Sequence, residues 1–287
     1  MAYVPVMANE RMREFWKVGA EGWVAHRDIF DTELAPFGDA VVAAVAPGPG
    51  DQVLDIGCGT GAVLARVVAR GATGLGVDIA PAMVTAAREL VPAARFEVAD
   101  AQVDDLAAQG PFTSVVSRFG VMFFDEPVAA FSNIRQAAAS GATLAFACWR
   151  GIEENPMFTL GTSVLVDHLD PKPDPPTPGA PGPMAFADPA RIESILGDAG
   201  WADVAVAAFD APCGYGGEGS DGVEERLTVL LNTTVGRGAA DQLEPKLGPE
   251  GWAALLEEVR AELRAHLVDG HVQFNGATWL VTARNPD

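Results

Sequence analysis

Asp55, Asp78 and Asp100 end three successive apolar runs, VLD, GLGVD and FEVAD, and the first run continues into a glycine turn, GCGTG, at 57–61. A turn between a strand and a helix offers backbone N–H groups and the positive end of a helix dipole to a polar or anionic group. It could cradle the phosphates of a nicotinamide dinucleotide, or it could be a redox site built on Cys58. The dinucleotide pattern fits only loosely, as Gly57, Gly59 and Ala62. Asp55 discriminates, because a carboxylate two residues before Gly57 would face a pyrophosphate unfavourably and suits an ammonium group better.

Asp78 lies about twenty residues beyond the turn, the position from which an acid accepts hydrogen bonds from ribose hydroxyls. Asp100, followed by Ala101 and Gln102, could meet the amino edge of adenine. Three acids at successive strand ends describe a ligand with an amine, a ribose and an exocyclic amino group but no phosphate. S-adenosylmethionine has that description.

The other chemically able residues are weaker. A thiol at a helix N-terminus can be reactive, yet no second cysteine or histidine stands near Cys58, and Cys148 and Cys213 are far off, so it reads as the small residue tolerated in the turn. The three cysteines suggest neither a disulfide framework nor a zinc site, and they suit a reducing cytoplasm. His266 and His271 flank Gly270 and do not make a helical metal pair. Asp167, His168, Asp170 and Asp174 fall in a proline-broken, solvated stretch, so no metal is expected. His26, His168 and Tyr215 are the candidates for a general base.

A net charge of −20 over 287 residues argues against a nucleic-acid groove, whose affinity rests on Lys and Arg at phosphates. The 49% hydrophobic content is ample for a core, and no apolar stretch is long enough for a membrane span. The N-terminus lacks the pattern of an export signal. Sixteen Arg against three Lys, with abundant Ala, Gly and Pro, look like a high-GC bacterial source.

The elements that must position these residues alternate. Strands are predicted at 52–56, 73–78, 95–99, 113–117 and 143–149, with helices near 61–70, 81–91, 103–109 and 126–139, which means a parallel sheet covered on both faces. Pro81 suits a first helical turn, Pro92 a stop, and Gly141 a C-cap. Residues 9–45 read as amphipathic helix within an N-terminal helical lid, 1–46, ahead of a core at 47–150. Beyond 150 come a helix at 156–169, a proline-rich loop at 170–183, an Asp188-capped helix at 189–199, a strand at 202–209, a helical excursion at 223–268 and a last strand at 277–284. Residues 151–187 and 213–270 are therefore cap insertions in the 151–287 remainder of the sheet.

In this order and spacing, VLDIGCGTG, GVDIAPAM, ADAQ and SRFGVMFFDEPVAAFSNIRQA resemble the motifs of class I S-adenosylmethionine-dependent methyltransferases, nearest to the ubiquinone/menaquinone C-methyltransferase-like subgroup. The resemblance covers roughly residues 50–150. It implies a Rossmann-like seven-stranded α/β sheet, ordered 3-2-1-4-5-7-6 with the last strand antiparallel. It also implies that Gly57, Cys58 and Gly59 line the methionine end with Asp55 near its amino group, and that Asp78 holds the ribose. Ile79 and Met83 would flank the adenine, with Asp100, Ala101 and Gln102 at its edge. Ser117 would lie below the sulfonium. Trp23, from the N-terminal helices, is expected either to close over the cofactor or to belong to the core. Trp16, Arg118, Phe119, Trp149 and Met157 are candidates for the acceptor pocket.

The function expected is transfer of a methyl group to oxygen or carbon of a small, largely apolar or aromatic metabolite, quinone-like or of specialised metabolism. The alternative is an enzyme of another reaction type, such as a cyclisation, that keeps the cofactor as a scaffold. A small-molecule acceptor, no nucleic acid, no membrane and a monomer or homodimer complete the expectation.

Overall fold

The structure is a computed structural model that describes residues 9–174, 177–217 and 219–286; residues 1–8 of the N-terminal lid and 175–176 of the proline-rich loop lie outside these. Three helices, α1 (Glu10–Ala25), α2 (Arg27–Glu33) and α3 (Ala35–Val45), precede the sheet. The alternation then runs β1 (Gln52–Ile56), α4 (Ala62–Ala69), β2 (Thr73–Asp78), α5 (Pro81–Leu90), β3 (Arg95–Val98), β4 (Phe112–Arg118), α6 (Pro127–Ala137) and β5 (Ala138–Trp149). After it come α7 (Thr162–Asp167), α8 (Pro189–Asp198), β6 (Ala202–Gly214), α9 (Val223–Asn232), α10 (Thr234–Ala265), β7 (Leu267–Val268) and β8 (His271–Arg284).

The strands order 3-2-1-4-5-8-6, with β8 antiparallel to both neighbours and the two-residue β7 turned back on β8. This is the expected Rossmann-like topology with one short extra strand. Val53, Leu54 and Ile56 of β1 are buried on both faces, as a central parallel strand covered by helices requires. Pro81, Pro127 and Pro189 each open a helix, where a missing N–H costs nothing. Asp188 caps α8 by accepting from the Ala190 N–H.

The helix expected at 103–109 is only a short 3-10 turn, Ala107–Gln109. Asp104 accepts from the Asp100 N–H and Asp105 from the Ala108 N–H, so short polar side chains satisfy the backbone locally and outcompete a helix. The helix expected at 156–169 is broken by Gly161 at φ +79, whose N–H is held by Glu262 of α10. The excursion at 223–268 divides at Thr233, whose hydroxyl accepts from the Gly236 N–H and restarts the chain as α10. Gly141, expected to cap a helix, instead lies at φ +76 inside β5, where the register against β4 shifts.

β6 and β8 are longer than expected. Their pairing continues past Phe209↔Thr278 to Gly214↔Gln273, whereas β5 stops at Trp149, opposite Thr278. Two strands thus rise beyond the sheet edge at which the three acids stand. α3 packs against β4 and β5 through the fully buried Phe37, while α1 and α2 run on over the strand ends. Burying a phenylalanine of this kind contributes roughly 2–3 kcal/mol.

Candidate active site

The turn after β1 is built by close backbone crossings. A Cβ on Gly57, which sits at φ +65, would lie 2.7 Å from Cα of Gly120, so both chains need glycine there. Ser117 ties the crossing together by donating to the Ile56 carbonyl (2.7 Å) and accepting from the Gly120 N–H (3.1 Å). The Gly57 and Cys58 N–H groups both donate to the Val77 carbonyl, and the Gly59 N–H donates to Asp78 Oδ2. Asp78 Oδ1 accepts from the Ala80 N–H, so the carboxylate is oriented by two turns at once. Burial nevertheless raises its pKa, against those backbone hydrogen bonds.

Asp55 has no exposed surface, and among the described residues neither carboxylate oxygen has a hydrogen-bond partner. Burial pushes its pKa up to about 8, with the Arg118 guanidinium opposing and Asp78 adding to the rise. A buried, unpartnered carboxyl of this kind is a cost to the fold that a cationic ligand would relieve.

A cavity of about 110 Å³ opens over the strand ends, lined by Gly57, Gly59, Asp78, Ile79, Met83, Asp100, Ala101, Arg118 and Phe119, with Trp16 and Trp23 from α1. Gly120, Asn9, Met12 and Phe123 are among the further residues of its wall that were not expected there. Asp100 is already engaged, accepting from Asn9 Nδ2 (2.8 Å), Arg13 Nη2 (3.4 Å) and the Gln102 N–H (3.0 Å). Arg118 donates from Nη2 to Asp31 (3.1 Å), while its buried Nη1 has no partner among the described residues.

Four of the expected cofactor residues stand off this wall, and Asp55, fully buried beneath the glycine turn, is one of them. Cys58 is turned into the hydrophobic core with its N–H taken by Val77, and burial raises the thiol pKa well above its usual value, which leaves no reactive thiolate. Ser117 is a strut between the two crossings. Gln102 accepts from the Glu126 N–H behind the cavity.

A second cavity, about 390 Å³, adjoins the first, sharing Trp16, Trp23, Leu34, Phe119 and Phe123 as wall. Phe15, Phe30, Trp149, Met157 and Phe158 make most of the remainder aromatic and apolar. Two ring pairs stack nearly parallel, Trp23 on Phe30 at 3.9 Å and Phe119 on Trp149 at 4.2 Å. Phe119 holds its place at φ +63, a strained conformation for a bulky residue.

Glu33 and Arg226 give this cavity a charged end. Glu33 is 1% exposed and Arg226 2%. The Tyr215 hydroxyl donates to Glu33 Oε1, and Arg226 donates to the Tyr215 oxygen (3.3 Å) and to the Met157 carbonyl. Burial raises the Glu33 pKa, with Arg226, the Tyr215 hydrogen bond and Arg118 all opposing. Burial and the Glu33 charge raise the Tyr215 pKa well above that of a free phenol. Tyr215 therefore holds its proton and cannot serve as the base suggested by sequence. His26 and His168 line neither cavity, and His168 Nδ1 is engaged with the Val164 carbonyl on α7. Asp167 pairs with Lys172 (2.6 Å), and among the described residues no group of three or more His, Cys, Asp or Glu could hold a metal ion.

Residues 53–141 match the family described as methyltransferase domain. Over that segment the chain is similar to a methyltransferase domain, in keeping with the motifs at its glycine turn and strand ends. The uncharacterized protein Rv1405c of Mycobacterium tuberculosis is 29% identical over 140 residues, 48% of this chain and 49% of that one. Aklanonic acid methyltransferase DauC of Streptomyces sp. strain C5 is 31% identical over 137 residues, 45% of this chain and 59% of its own length. The chain thus spans about half the length of the curated relatives it matches. Among solved structures, a Bacillus halodurans protein assigned as a methyltransferase aligns with TM-score 0.53 at 16% identity, covering 87% of this chain and 99% of that one. The YcgJ protein of Bacillus subtilis aligns with TM-score 0.53 at 13% identity, covering 89% and 98%. Both share the fold.

S-adenosylmethionine, the cofactor that the resemblance implies, fits the residues present. The Asp55 carboxyl, unpartnered among the described residues, would suit an ammonium group, and the likewise unpartnered Nη1 of Arg118 would suit a carboxylate. Gly59 leaves open space where any other residue would place a Cβ.

Proposed function

We propose that this chain transfers a methyl group from S-adenosylmethionine to an oxygen or carbon of a small, largely apolar or aromatic acceptor. The observation that carries the reading is the adjoining of two unlike cavities, one bordered by glycines and strand-end acids, the other by stacked rings. Bound in the first, S-adenosylmethionine supplies a methyl group on a positively charged sulfur. Asp55 and Arg118 hold the amino and carboxyl ends of its methionine part, Asp78 the ribose, and Ile79 and Met83 the adenine faces, with Asp100 and Ala101 at the adenine edge. Phe119, Trp16 and Trp23 keep water from the junction between the cavities, so that alignment and desolvation lower the barrier to an in-line displacement.

The likeness to a protein named for methylating aklanonic acid supports a small-molecule acceptor. The net charge of −20 argues against a nucleic acid. Three buried free cysteines suit a cytoplasmic protein, and we read the chain as a monomer or homodimer.

Calorimetry with S-adenosylmethionine and with NAD⁺ tests the cofactor assignment. Binding of the first alone is expected, followed by S-adenosylhomocysteine release when an aromatic acceptor is added. Binding of NAD⁺ in its place would overturn the reading.

A further inference from the structure

Glu33 is a carboxylate in the wall of a largely apolar chamber whose other charged lining residues are Arg226 and Arg237, and nothing in the methyl-transfer reading above uses it. Its Oε1 accepts from Tyr215, and among the described residues no hydrogen bond reaches Oε2. We propose that the acceptor is a planar aromatic compound bearing a hydroxyl group, and that Glu33 Oε2 takes the proton of that hydroxyl as the methyl group arrives. The proposal rests on the cofactor reading above and adds the acceptor class and the base.

The step balances. The acceptor O–H bond breaks and its proton passes to Glu33 Oε2, while an oxygen lone pair forms the new O–CH3 bond. The electron pair of the broken S–CH3 bond stays on sulfur, and Glu33 later returns its proton to solvent. The stacked pairs Trp23–Phe30 and Phe119–Trp149 favour a flat acceptor, for which offset ring contacts contribute beyond area burial. A cavity of about 390 Å³ lies within the usual range for small-molecule sites.

Tyr215, at the end of β6, is a positioning residue, fixing one carboxylate oxygen so that the other is presented to the chamber. Arg226 of α9 orders Tyr215 from the opposite side, with its guanidinium 5.4 Å from the centre of that ring and 5.3 Å from that of Phe274. The groups that act electrostatically on Glu33 are Arg226 of α9, Tyr215 and Cys213 from β6, and Arg118 of β4. Burial holds its pKa above the ordinary carboxylate range despite them, as a base working near neutrality requires.

The test uses the full chain saturated with S-adenosylhomocysteine and two probe sets: 1-naphthol, 1-methoxynaphthalene and 1-naphthoate, then 2-hydroxyanthraquinone, 2-methoxyanthraquinone and anthraquinone-2-carboxylate. In at least one set the hydroxyl compound is expected to bind more tightly than its carboxylate. Glu33→Gln should weaken the hydroxyl compound by about tenfold or more while leaving the methyl ether within about twofold. Hydroxyl binding should rise with pH as Glu33 ionises, and Tyr215→Phe should move that midpoint upward, because the lost hydrogen bond favoured the carboxylate. Preference for carboxylates, equal loss for phenol and ether, or no binding of either phenol overturns the assignment. If Glu33→Gln does not fold, the Tyr215→Phe midpoint decides: an unmoved midpoint overturns it. Failure of S-adenosylhomocysteine to bind overturns the cofactor reading; its binding without any hydroxyl preference overturns only the role of Glu33.

Discussion

Tyr215 donates its hydroxyl proton to Glu33 across 182 positions of sequence, joining the end of β6 to the end of α2. The pair is buried, so removing one partner leaves the other unsatisfied. Tyr215→Phe should lower stability by about 1–3 kcal/mol in urea unfolding while leaving S-adenosylmethionine affinity unchanged.

Asp55 exchanges stability for binding. Its folded pKa of about 8 exceeds the model-peptide value of 3.8, so the folded state holds the proton more tightly and stability falls as pH rises between those values. Asp55→Asn should therefore raise the unfolding temperature of the unliganded protein at pH 7–8, by an amount on the order of 1 kcal/mol in stability. The same variant should lose about tenfold or more in S-adenosylmethionine affinity by calorimetry.

Proton linkage gives a second signature at this residue. A bound ammonium favours the ionised carboxyl, so cofactor binding below pH 8 should release protons from Asp55. Calorimetry in buffers of differing ionisation enthalpy measures the release, and Asp55→Asn should abolish its share.

Arg118 acts on the same carboxyl. Its charge lowers the Asp55 pKa, so Arg118→Met should move the pH midpoint of cofactor binding upward. It should also weaken affinity by about tenfold, because the free Nη1 is lost. An unmoved midpoint would separate Arg118 from Asp55.

Gly57→Ala should be severe. Its Cβ would meet Gly120 at 2.7 Å in a left-handed conformation, at a cost of about 2–4 kcal/mol, and should abolish cofactor binding even where the chain still folds.

The cofactor side of the site is carried by short-range pattern. Asp55, Gly57, Gly59 and Asp78 belong to one β-turn-α-β unit, and the spacing of such a unit places strand-end side chains together without reference to the rest of the chain. The acceptor side is not local. Glu33, Tyr215 and Arg226 come from three distant segments, and no spacing connects them. A weaker signal was present: Phe30, Leu34 and Phe37 mark an apolar face that Glu33 interrupts, and Val223, Leu227 and Leu230 do the same around Arg226. A charged residue on a face otherwise destined for the core must find a partner or a ligand. The lengths of β6 and β8 were hidden by a glycine-rich stretch that reads as a turn from Cys213 onward, although the pairing runs on to Gly214.

Those overlong strands make the sheet a two-storey structure. The lower storey ends at Trp149 and carries the glycine turn and the strand-end acids; the upper, Asp210–Gly214 against Gln273–Ala277, leads directly to Tyr215 and backs the charged end of the chamber. Adding or deleting a pair of residues in each strand would raise or lower that ceiling in steps of about 7 Å without disturbing the floor. Chamber depth, and with it the reach of the proposed acceptor, is thus set by the length of this strand pair independently of the turn below it.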